Sequence, residues 1–113
     1  IADRSKDIIK SGGEWISSVE IENAALGHSG ILQAAVIGMT NPRWQERPLL
    51  IVARRPGADV SESDLIAHLR GRVVSWSLPD AVIFVDALPT TATGKIHKQI
   101  LRDRYRDMAS PAA

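Results

Sequence analysis

Ala34-Ala35-Val36-Ile37-Gly38-Met39-Thr40-Asn41-Pro42-Arg43-Trp44-Gln45-Glu46-Arg47-Pro48-Leu49-Leu50-Ile51-Val52 is the stretch that decides the fold. It holds two short apolar runs, Ala34–Ile37 and Leu49–Val52, with the turn-rich Thr40–Arg43 between them. Short β-branched runs bounded by turns read as well-covered strands rather than helix. Ala81-Val82-Ile83-Phe84-Val85 reads as a third. Between and around these runs lie three helix signals. Ser17 and Glu20 have capping-box spacing, with Ile21, Ala24, Ala25 and His28 behind them on one helix face. Ser61 and Asp64 repeat the signal with Asp for Glu, ahead of Leu65, Ile66, Leu69 and Val73. Lys98 to Met108 carries Ile100, Leu101, Tyr105 and Met108 at helical spacing.

At the start, Ile8-Ile9 and Trp15-Ile16 flank Gly12-Gly13, the pattern of a short hairpin. Lys10–Gly13, Arg55–Ala58 and Leu88–Gly94 are further turn clusters, because Pro fixes φ and Gly frees it. The order helix, strand, strand, helix, strand, helix predicts an α+β domain. It has a small central sheet of about three strands, flanking helices and a short N-terminal hairpin.

Composition narrows the function classes. The 113 residues suit one domain. With 14 Lys plus Arg against 13 Asp plus Glu, the chain lacks the strongly basic balance of nucleic-acid binders. It has no cysteine, hence no disulfide scaffold and no thiolate metal site. No apolar run approaches the roughly 20 residues a membrane helix needs. Ile1-Ala2-Asp3-Arg4 does not resemble a signal peptide, and the missing initiator Met suggests a fragment or a chain whose beginning was removed or is not shown. His28, His68 and His97 are scattered singly, so no metal site is expected among them. His68 reads as a surface residue of the second helix. Trp44 and Trp76 read as covers for the core or a domain edge. Glu46 reads as closing a structural hydrogen bond before the second strand. The basic run Lys95, Lys98, Arg102, Arg104 and Arg106 reads as a solvated helix face that could also attract phosphates.

Leu88-Pro89-Thr90-Thr91-Ala92-Thr93-Gly94-Lys95-Ile96 is the chemically suggestive loop. A Gly beside a Lys lets backbone approach a ligand while an ammonium reaches phosphate oxygens. The stretch is not a Walker loop, because the earlier Gly and the Ser or Thr after Lys are missing. By spacing alone it reads rather as a polar loop with a solvated lysine.

Taken with Arg4-Ser5-Lys6-Asp7-Ile8-Ile9-Lys10-Ser11-Gly12-Gly13-Glu14-Trp15-Ile16 and Val19-Glu20-Ile21-Glu22, the loop and Leu101-Arg102 make the chain resemble a known family. This is the mobile C-terminal domain of the acyl-CoA synthetase, luciferase and peptide-synthetase adenylation superfamily. The resemblance covers Asp3 to Asp107, and the Ser-Gly-Gly-Glu-Trp-Ile-Ser-Ser wording is similar to the medium- and long-chain fatty-acyl-CoA ligase branch. It implies that residues 1–113 are the small domain of a two-step ligase, with residues 1–10 as the hinge region and 88–97 as the catalytic-lysine loop. Such a ligase first joins a carboxylic acid to AMP, using ATP, and then transfers the acyl group to CoA.

Residue by residue, the resemblance implies Lys95 as the catalytic lysine of adenylation, Arg4 near the nucleotide and Lys6 as the hinge. Lys10, Gly12, Gly13 and Trp15 then belong to the CoA-dependent thioester step, the glycines leaving room for the thiol. The resemblance further implies that ATP, CoA and Mg2+ are bound mainly by a large N-terminal domain of the same polypeptide, without which this chain is expected to be inactive. The implied setting is cytoplasmic, with no nucleic acid and no membrane span. An aryl-CoA ligase, a ligase for a short sulfur-containing acid, and a non-catalytic module of the same fold are the alternatives.

Overall fold

In a computed structural model, residues 8–41 and 45–105 are described. The elements run β1 (Ile8–Ser11), β2 (Glu14–Ser17), α1 (Ser18–Leu26), β3 (Ile31–Asn41), β4 (Gln45–Arg54), α2 (Glu62–Leu69), β5 (Ala81–Val85) and α3 (Lys98–Tyr105), with a 3₁₀ turn at Ser75–Ser77. The α+β class expected from the sequence is the one found. The sheet, however, has five strands rather than about three, because the hairpin joins it.

β4 is the centre of the sheet. It pairs antiparallel with β3 along its length and parallel with β5 from Leu49↔Ala81 to Ala53↔Val85. β1 meets it at one register position, Ser11↔Gln45, and β2 pairs outward on β1. The path β2-β1-β4-β3 therefore has the hairpin at one end and β3 at the other.

Both faces of β3 and β4 are covered, which explains their unbroken apolar runs. Ala34, Val36, Leu50 and Val52 pack in one core with Ile21 and Ala25 of α1 and Leu65 and Leu69 of α2. The alternate residues Ala35, Ile37, Leu49 and Ile51 pack in a second core with Leu88 and Leu101. The strict alternation follows from the two-residue period of a strand.

The caps are where the sequence places them. The Ser17 hydroxyl accepts the Glu20 N–H, and Ser61 and Asp64 form a reciprocal capping box. Each such cap contributes about 1 kcal/mol. Four expectations change in detail. His28 lies beyond α1, whose cap is Gly27. Val73 lies beyond α2 but still packs on the first core. Ile100 faces outward at 39% exposure, leaving Leu101 as the buried residue of α3. Trp76 is 45% exposed, which leaves the domain-edge reading rather than the core one. Trp44, Arg106 and Met108 lie outside the described residues. Among the described residues no helix is long and apolar enough to cross a membrane.

Candidate functional site

The Lys95 loop is built from its own backbone. Thr91 N–H donates to the Lys95 carbonyl at 2.6 Å, Gly94 N–H to Thr91 at 2.9 Å, and His97 N–H to Pro89 at 2.7 Å. Thr90 bridges Ile96 across this turn. Gly94 has φ 87°, a left-handed conformation that a side chain would strain. The Lys95 side chain is exposed at the rim of a groove of about 620 Å³. α1 contributes Val19, Glu22 and Leu26 to that groove, and α3 contributes Lys98 and Arg102.

A charged tie spans the groove. Lys98 Nζ lies 2.6 Å from Glu22 Oε2 and 3.2 Å from the buried Ser18 Oγ. The same Glu22 oxygen accepts the Val36 N–H at 2.8 Å, satisfying a donor on the outer edge of β3. The pair's side chains are only 16% and 14% exposed, so Lys98 is not part of a solvated face. That corrects the reading of the whole basic run as solvent-facing. α1 and α3 cover opposite faces of the sheet, and this tie joins them around its edge, three residues from Lys95.

The hairpin gathers the other expected residues. Gly12 and Gly13 form its two-residue turn with φ 57° and 88°. Two positive φ values are what a type I′ turn requires. A Cβ on Gly13 would meet nothing within 4 Å, so backbone conformation, not crowding inside this chain, calls for glycine there. Lys10 and Trp15 are cross-strand partners, with Lys10 Nζ 4.9 Å from the indole centroid. Trp15 is 61% exposed, an aromatic face open to a partner.

The structure thus brings Lys10, Gly12, Gly13 and Trp15 together, and sets Lys95 apart from them. The hairpin lies at the β2-β1 end of the sheet, whereas the Lys95 groove is lined from α1, α3 and Ala34 of β3, the other end. Arg4 and Lys6 lie outside the described residues.

Residues 20–95 match the family described as AMP-binding enzyme C-terminal domain. The chain belongs to that family. The 3-methylmercaptopropionyl-CoA ligase of Ruegeria lacuscaerulensis is 56% identical over 95% of this chain and 20% of its own length. The medium-chain-fatty-acid–CoA ligase of Ectopseudomonas oleovorans is 48% identical over 96% of the chain and 20% of its own length. Among solved structures, apo MatB from Rhodopseudomonas palustris superposes with a TM-score of 0.87 at 34% identity, over 93% of this chain and 21% of that one. The Mycobacterium tuberculosis fatty acyl CoA synthetase gives 0.85 at 38% identity, over 92% and 20%. The chain spans about a fifth of the length of the curated relatives it matches.

Three features of this C-terminal domain of the AMP-binding enzyme family were not singled out by its sequence. Glu22 and Ser18 look like ordinary positions of an amphipathic helix. Arg47 sits in β4 just before its apolar run, and it donates to Asp80, Ser11 Oγ and the carbonyls of Trp76 and Leu78 at 2.9–3.0 Å. Four partners from two segments, β1 and residues 76–80, converge on one guanidinium, and only a charge at the mouth of an apolar run hinted at it. The histidines are also less isolated than expected. The His28 and His68 rings lie 5.1 Å apart, and His68 Nε2 is 2.9 Å from the Ala24 carbonyl in a half-buried position. Among the described residues no group of three or more His, Asp or Glu could hold a metal ion.

Proposed function

We propose that this domain is the mobile C-terminal part of an AMP-forming acid–CoA ligase, working in the cytoplasm with a large N-terminal domain of the same polypeptide. The observation that carries the reading is the separation of two site-like clusters to opposite ends of one sheet. A rigid domain built this way can present only one cluster at a time to a common active centre. Two half-reactions with different needs then call for a rotation between them.

In the first pose Lys95 faces ATP and the acid. Negative charge gathers on the α-phosphate oxygens as the carboxylate attacks and pyrophosphate leaves. A preplaced ammonium at that point is worth roughly 10²–10³ in rate. In the second pose the hairpin faces the acyl-adenylate. The CoA thiol attacks the acyl carbonyl and AMP departs. Gly12 and Gly13 present a surface without side chains, Trp15 offers an apolar wall for the pantetheine arm, and Lys10 supplies charge beside it. Arg4 is assigned to the nucleotide and Lys6 to the hinge, where a few backbone dihedrals absorb the rotation. Mg2+ falls to the N-terminal domain, since no metal-holding cluster occurs among the described residues here.

The Ser-Gly-Gly-Glu-Trp-Ile wording favours a fatty acid as substrate. The 56% identity to a 3-methylmercaptopropionyl-CoA ligase favours a short sulfur-containing acid as the second reading. Purified intact polypeptide, given ATP, CoA and either octanoate or 3-methylmercaptopropionate, should release AMP in step with CoA consumption. AMP release with neither acid, by a folded protein, rejects the ligase reading in this form.

A further inference from the structure

The hairpin's backbone meets the rest of the sheet at one register position, Ser11↔Gln45, so something else must fix its angle. Ile9 and Ile16 anchor its base in the first core, and two adjacent residues of β4 hold the end nearest the turn. Glu46 Oε1 accepts the Lys10 N–H at 3.1 Å, and Arg47 donates to Ser11 Oγ at 2.9 Å. Neighbours on a strand point to opposite faces, so β1 is gripped from two directions. Lys10 and Ser11 are the last residues before Gly12-Gly13, and the grip is therefore at the root of the turn.

The Glu46 carboxylate has a prepared seat. Gly38 of β3 lies beneath it, and a Cβ there would come within 2.7 Å of Glu46 Oε2. Gly38 has no positive φ, so the bare position serves the carboxylate rather than the backbone. Gln45, immediately before Glu46, holds φ 73°, a conformation uncommon for a residue with a side chain. Such a residue persists only where its surroundings determine it, as they do at this joint. Arg47 completes the fixture by tying Ser11 to Asp80 and to the carbonyls of Trp76 and Leu78, the segment leading into β5.

We infer that Glu46 and Arg47 are positioning residues for the thioester step: they aim the Gly12–Gly13 hairpin and leave Lys95 unaffected. This rests on the two-step reading above. The Lys95 loop takes none of its described hydrogen bonds from either residue and lies at the other end of the sheet.

The test uses intact polypeptide and separates the half-reactions. Adenylation is followed by pyrophosphate exchange with octanoate or 3-methylmercaptopropionate. Thioester formation is followed from supplied acyl-AMP and CoA. Glu46→Ala should slow the thioester step about tenfold to a hundredfold, the scale of a displacement near 1 Å, with adenylation within about twofold. Glu46→Gln keeps an oxygen acceptor for Lys10 N–H and should recover most of the rate. Gly38→Ala leaves the Glu46 side chain in place but puts a methyl in its seat. A flexible carboxylate can move aside, so this variant should fold and reproduce the selective loss. Equal losses in both half-reactions would mark a merely structural role and overturn the inference, as would no loss in Glu46→Ala and Gly38→Ala. Wild-type polypeptide that performs neither half-reaction would instead overturn the ligase reading, and this inference with it.

Discussion

The Gly12–Gly13 hairpin and the Thr91–Ile96 loop look alike in sequence: short, polar, and turned by glycine. They are held in different ways. The loop closes on itself through contacts a few residues apart, such as Thr91 with Lys95 and His97 with Pro89. The hairpin closes its own turn, but Ile9 and Ile16 seat it in the first core, and the root of its turn is held by Glu46 and Arg47, each 36 residues from its partner in β1. A locally closed loop keeps its shape wherever the chain carries it. A hairpin braced from afar reports the condition of the whole sheet. The two regions should therefore respond differently to substitution, and the proposed half-reactions give a readout for each.

The largest difference is expected from Lys95→Ala. Adenylation should fall by about 10²–10³, because in the proposed first pose the ammonium acts only where charge develops at phosphate. Thioester formation from supplied acyl-AMP should stay within about threefold, on the argument that the hairpin supplies that step. Similar losses in both half-reactions would erase the distinction between the two ends of the sheet.

A smaller effect should follow at the tie beside the loop. Lys98→Met leaves the Glu22 carboxylate with the Val36 N–H but no cation at 2.6 Å. Breaking a largely buried pair from one side costs about 3 kcal/mol, readable by chemical denaturation. Glu22→Gln combined with Lys98→Met removes both charges and should recover most of that stability. If Lys98 also steadies Lys95, the double variant still loses adenylation by several fold while the thioester step holds. Full recovery of adenylation would confine the tie to stability.

The smallest effect sharpens the hairpin side. Gly12→Asn suits a type I′ turn, where Asn-Gly is a preferred pair, so stability should change by no more than about 0.5 kcal/mol. If the bare turn serves the thiol's passage, thioester formation should still drop several fold. An unchanged rate would leave turn geometry as the whole reason for glycine.

Much of this domain is legible in its residues alone. The strand runs, the Ser17 and Ser61 caps and the Gly12–Gly13 turn are all found where local patterns put them. Each depends on interactions within a few residues, or on a face pattern of period two or 3.6, and those are written consecutively along the chain. The same locality made the Lys95 loop recognisable as a loop.

What the tertiary structure alone decided are the contacts made at a distance. That β1 joins β4 and enlarges the sheet to five strands rests on the Ser11↔Gln45 register and the Glu46 and Arg47 bonds. That Lys98 is anchored while Lys95 is exposed depends on α1 and α3 arriving from opposite faces at the open edge of β3. That His28 and His68 meet depends on how α1 and α2 pack. A charged residue looks the same in sequence whether it faces water or a partner. Its role is fixed only when folding decides which backbone donors and counter-charges surround it, because a buried charge persists only where it is paired.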